Sequence, residues 1–133
     1  MFATMLFTIA IVALFQFALY YWRAVLTGVA SQRISRTVLE AAHLEDGVSG
    51  ADFDRLVSLH ELTPELDGSG GGLWLVGAYY SATHKIEEWF GQISPAIASW
   101  SEREMAICAR YAAVQVDRRM QANLAEGASM RAC

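Results

Sequence analysis

The sequence predicts an all-α protein: a single N-terminal transmembrane helix that continues into a long amphipathic helix, followed by a small C-terminal helical bundle or hairpin. Three observations carry this prediction. Positions 1–22 hold no charged side chain, no Pro and no Gly, and Arg23 closes the run. Apolar residues then recur every four positions at Leu26, Ala30, Ile34, Val38 and Ala42. Further along, Leu75, Tyr79, Ala82, Ile86, Trp89 and Ile93 step by 4, 3, 4, 3 and 4, the spacing of a heptad seam.

The first segment has the length of a membrane span. A hydrocarbon core about 30 Å thick needs roughly 20 apolar helical residues, and Gln16 is the only strongly polar side chain in the run. Tyr20, Tyr21 and Trp22 stand where an aromatic belt lies, with Arg23 placed to reach headgroups. A cleaved signal peptide has a basic leader and an apolar core of about 7–15 residues. This run is longer and has no Lys or Arg before Arg23, so it reads as an anchor. Arg23, Arg33 and Arg36 precede the first acid, Glu40, and the positive-inside rule then puts the C-terminal domain in the cytoplasm. Gln16 either hydrogen-bonds a second transmembrane segment or faces lipid with its amide satisfied locally.

Beyond the anchor (1–23), the stripe through Leu26, Ile34 and Val38 predicts that the helix runs on without a break to Leu44, with Gln32, Arg33, Arg36 and Glu40 on its polar side. Asp46-Gly47 ends it. Ser49 with Asp52 resembles a capping box for a short helix carrying Phe53, Leu56, Val57, Leu59, His60 and Leu62. Thr63-Pro64 looks like the start of another turn. The extension and short helix make up 24–66, and the glycine-rich stretch 67–72 is a linker. The remaining 73–133 form a helical hairpin. Its first helix carries the heptad seam, and its second runs over about 100–125, with Ser99/Glu102 and Ser101/Glu104 as overlapping capping boxes.

Composition excludes several classes. The 133 residues carry a net charge of -4 with acids and bases interspersed, which is not the footprint of a nucleic-acid binder. There is no G-x-S-x-G, and the glycines at 68–72 lack the Lys-Ser or Lys-Thr of a phosphate loop. No catalytic residue, cofactor or metal is assigned, and the protein is not expected to be an enzyme. Glu40-x-x-His43 and His84-x-x-Glu87 each put a carboxylate and an imidazole on one helix face, as di-iron bundles do, with Glu102 or Glu104 to complete a set. The plainer reading of both pairs is solvated surface. His60 sits on an apolar face and reads as a packed histidine. Cys108 and Cys133 either form one disulfide or are a buried core thiol and a free terminal one. Arg103, Arg110, Arg118 and Arg119, interspersed with Glu102, Glu104 and Asp117, read as a salt-bridged helix surface. Trp74, Tyr79, Tyr80, Trp89, Phe90 and Trp100 crowd into 27 residues; core packing takes most of them, and any surplus on the surface would serve as interface anchors.

The expected function is structural: a single-pass, membrane-anchored accessory or self-assembling subunit of a larger membrane complex. Its partners would be the lipid bilayer and other membrane-protein subunits or itself, engaged through Gln16, Leu26, Ile34 and Val38. An alternative starts from an apolar N-terminal helix that runs into an amphipathic half, followed by a head with two cysteines. This outline resembles type IV pilin-like proteins, and the resemblance implies an extracellular filament subunit with its apolar helix in the fibre core. Met5 stands where that family carries Glu, and the head reads helical where that family's is β. A third class is a metal-binding helical protein using Glu40, His43, His84 and Glu87.

Overall fold

The computed structural model describes residues 1–44, 48–63 and 72–133. Its helices are α1 (Phe2–Ala30), α2 (Arg36–Ala41), α3 (Phe53–Leu62), entered through a 3-10 turn at Gly50–Asp52, α4 (Leu73–Phe90) and α5 (Pro95–Ala132). The expected all-α architecture is what forms, with no strand among the described residues. The Asp46-Gly47 stop, the turn at Pro64 and linker positions 67–71 lie outside those residues.

α1 is long and apolar enough to cross a membrane, and its most apolar stretch is not buried against any other of the described residues. Its hydroxyls are satisfied within the helix: Thr4 donates to the Met1 carbonyl and Thr8 to the Thr4 carbonyl. Gln16 lies on the exposed surface. Packing begins only at the C-terminal end, where Trp22 is half-buried and Leu26 and Ala30 are buried.

The helix continues past Arg23, but it stops at Ala30 instead of running to Leu44. The Ser31 hydroxyl turns back to the Gly28 carbonyl. The Gln32 side-chain oxygen accepts from Arg118, and the Ser35 hydroxyl donates to Asp117 at 2.5 Å. Gln32 and Ser35 thus find partners on α5 that a straight helix would not offer, and Ser35 adopts the extended backbone of a helix start. The apolar stripe is still used. Leu26, Val38 and Ala42 are buried and Ile34 partly so, reached by a bend instead of a continuous face.

α2 ends in a Schellman motif. The Leu44 N–H donates to the Leu39 carbonyl at 2.8 Å and the His43 N–H to the Glu40 carbonyl at 3.2 Å, with His43 at φ 55°. Leu44 is buried and Leu39 packs on the same core, which supplies the apolar contact this motif carries. The imidazole occupies the position where glycine is usual, so His43 serves as a helix terminator.

α3 starts as its sequence predicts. The Ser49 hydroxyl accepts from the Ala51 N–H at 3.2 Å, and the Ser49 N–H donates to the Asp52 carboxylate at 3.0 Å. Phe53, Leu56 and His60 face inward. At the far end, Arg119 donates to the His60 and Thr63 carbonyls, capping α3 from α5. The entry turn lies close on α5: a Cβ at Gly50 would come within 2.8 Å of the Met105 Cβ, so only glycine fits there.

α5 is the spine against which α1, α2, α3 and α4 all pack. Cys108, Ala109, Ala112, Ala113 and Val116 form its buried face. The helix begins at Pro95 and continues to Ala132, longer at both ends than the expected 100–125. Proline at the first helical position supplies the pre-set φ that starts it. The expected capping boxes do not form: Ser99 and Ser101 donate to the Ala96 and Ala98 carbonyls inside the helix, and Glu104 is engaged elsewhere. Gly127 is absorbed into the helix, a cost of about 1 kcal/mol relative to Ala.

The order of contacts fixes direction. Arg23 meets Glu104, while Gln32 meets Arg118 and Ser35 meets Asp117, so α1 and α5 run parallel. Tyr79 meets Glu104, and Gly72 lies near the Tyr111 hydroxyl, so α4 runs antiparallel to α5.

A residue with a Cβ in the left-handed region costs about 1–2 kcal/mol, partly offset by the greater freedom glycine has in the unfolded chain. His43→Gly is therefore expected to raise the stability of the detergent-solubilised chain by about 0.5–1 kcal/mol. Denaturant unfolding followed by circular dichroism measures it; a loss of stability would show that the imidazole holds more than the helix end.

Candidate functional site

Of the heptad seam read from the sequence, only Tyr79 turns to the face on which the hairpin closes. Leu75, Ala82, Ile86, Trp89 and Ile93 are all exposed, with Trp89 and Ile93 at 71% and 78%. The packed face is rotated by roughly one residue position, about 100° around the helix. It consists of buried Val76 and Thr83, flanked by half-buried Leu73, Tyr79 and Tyr80.

Two aromatic side chains set that rotation. Tyr80 stacks on Phe53 with ring centroids 4.2 Å apart, and its hydroxyl donates to the Gly50 carbonyl at 3.0 Å. The Tyr79 hydroxyl donates to the Glu104 carboxylate at 2.9 Å. With both tyrosines turned inward, the axis between them points at α5, and the Leu75–Ile86–Trp89–Ile93 row turns out to solvent. Burial raises both phenols above the ordinary tyrosine range, helped for Tyr79 by its hydrogen bond to the Glu104 charge and for Tyr80 by the charge of Asp54.

The second feature is a polar junction inside the apolar packing. The Glu104 side chain is fully buried and pairs with the Arg23 guanidinium, which remains 54% exposed. Arg23, expected to project toward headgroups, is therefore turned to α5. Trp22 is half-buried beside the core, while Tyr20 and Tyr21 stay exposed. One carboxylate thus ties α1, α4 and α5 together.

Asp117 forms a comparable junction lower on α5, buried and accepting from Ser35 and Gln121. Arg118, Arg119, Glu104 and Asp117 are tertiary contacts and not the salt-bridged surface their spacing implies. Their partners lie far away in the chain, which is why local spacing missed them.

The remaining site residues are spread out. Cys108 is buried and Cys133 exposed, both are free, and they sit 25 residues apart on one continuous helix. A disulfide between them is ruled out by about 37 Å of helix. Burial, with the nearby Glu104 charge, pushes the Cys108 thiol up to about 12, so it is inert at neutral pH. Glu40 and His43 end α2 while His84 and Glu87 lie on α4, 4.0 Å apart. Among the described residues no three His, Cys, Asp or Glu side chains converge as metal ligands would.

A cleft of about 870 Å³ separates α3 from α4, with Asp54 and Glu61 on one wall and His84, Lys85 and Glu88 on the other. Thr63 and Leu73 also line it.

Searches against protein-family models, curated proteins and solved structures find no match to this chain.

Two outcomes test the junction and the thiols. Arg23→Ala strands the buried Glu104 charge and is expected to cost about 2–3 kcal/mol, less than a fully buried pair because Arg23 is half in water. Glu104→Gln leaves a hydrated arginine and is expected to cost about 1 kcal/mol. Equal losses in denaturant unfolding would mean that the pair is not buried as described. Titration of the native chain with a thiol reagent should count one reactive cysteine, Cys133, and a second only after denaturation.

Proposed function

We propose that the chain is a single-pass, membrane-anchored structural subunit that works by holding other proteins at the bilayer. α1 is the span, and the outward seam on α4 is the docking face. The observation that carries this reading is that seam: apart from Tyr79, its apolar residues on α4 stay exposed among the described residues. Leu75, Ala82 and Ile86 offer a partner helix the knobs of a coiled-coil contact. The exposed Gln16 amide offers a hydrogen bond to a second transmembrane segment.

Arg23, Arg33 and Arg36 support a cytoplasmic C-terminal domain by the positive-inside rule, and two free thiols suit that compartment. A disulfide between Cys108 and Cys133 would have favoured the pilin-like alternative, and the two thiols lie too far apart to form one. The partner is a helical segment of another membrane subunit or of a second copy.

Native mass in mild detergent tests the reading. The expected result is a species well above the 14.7 kDa protomer, collapsing toward the protomer when Leu75 and Ile86 are both replaced by Asn with helical content unchanged. A bare wild-type monomer would overturn it.

A further inference from the structure

The turn between α4 and α5 lies on the same side of the molecule as the apolar helix. α1 and α5 run parallel, so passing along α5 from Glu104 toward its start leads in the same direction as passing along α1 from Arg23 toward Met1. The turn at 91–94 therefore lies about 15 Å beyond the Arg23–Glu104 pair on the α1 side, at 1.5 Å per residue. Positions 89–101 contain no charged residue, in a chain where 18% of residues are charged. Trp89, Phe90 and Ile93 are exposed at this end, and Trp100 is half-buried beside them. Nothing among the described residues covers Trp89, Phe90 or Ile93.

We infer that the α4–α5 turn is a second membrane contact, dipping Phe90 and Ile93 into the headgroup–acyl boundary of the leaflet from which α1 emerges. The inference rests on α1 being a membrane span. Lipid is the occupant favoured by continuity, because the bare end of the hairpin extends the bare surface of α1 at the same level. Composition agrees: tryptophan is the residue of the interface, and Trp89 stands at the exposed end of the hairpin.

The flanking charges limit the depth. Glu87 and Glu88 on α4, and Glu102 and Arg103 on α5, bracket the charge-free stretch. Lys85 and Glu88 line the α3 side of α4, away from the seam. Insertion therefore stops near Trp89, at the shallow 5–10 Å typical of interfacial helices. With two bases and three acids at its edge, the turn needs no anionic lipid.

Spin labels on the full chain in phosphatidylcholine nanodiscs, in a Cys133→Ser background, test this. Labels at Ile93→Cys, Trp74→Cys and Phe15→Cys report the turn, the opposite end of α4 and the span; all three positions are exposed, and Cys108 is buried. Collision with oxygen, which concentrates in lipid, is compared with collision with a water-soluble nickel chelate.

The expected result is a preference for oxygen at positions 93 and 15 and for nickel at position 74. Nickel preference at 93 with oxygen preference at 15 would overturn this inference and leave the span intact. Shielding of 93 from both reagents would overturn it in favour of a protein partner on the turn. Nickel preference at 15 would remove the span and this inference with it.

Discussion

A carboxylate with no access to water governs this fold. Glu104 lies mid-helix on α5, and an unpaired charge there would cost several kcal/mol. Arg23 from α1 and Tyr79 from α4 answer it. Hydrophobic burial is non-directional and would accept many rotations of these helices about α5. The ion pair and the phenol hydrogen bond accept very few. They bring the end of α1 against the spine and fix which side of α4 turns inward.

α4 shows why that directionality matters. Its apolar residues spread over more than one arc of its circumference, enough for two different contacts. One arc, through Val76 and Thr83, is closed by α5, and the other, through Leu75, Ile86 and Trp89, is left outside. On the proposed reading, the arc left outside is the one a partner would take. The end of α5 is likewise unsupported, for no residue after Asp117 is buried. A helical stub of that kind draws little stability from packing.

The features that were readable in the sequence are those set by neighbours in the chain. The apolar length of α1, the Ser49–Asp52 cap and the inward face of α3 need no more than nearby residues to specify. The heptad row was also readable, but not which of α4's two arcs the fold would close, because Tyr79 and Tyr80 choose that through Glu104, Gly50 and Phe53. The break at 31–35 depends on Asp117 and Arg118, far along the chain. His43 looked like one half of a metal pair because an i, i+3 spacing also matches a helix end, and only the backbone angle separates the two. The cysteines left two readings open until both proved to lie on one helix.

Arg23 has a history as well as a position. The chain is synthesised from its N-terminus, so this guanidinium exists long before Glu104 does. Through that interval no carboxylate from α5 balances it. On the proposed reading, its full positive charge is then available to the machinery that decides which way α1 is threaded. Once α5 is made, the same charge is largely neutralised and becomes a fastening between helices. One side chain thus has an early role in orientation and a late one in cohesion, separated only by the time needed to translate the residues between them.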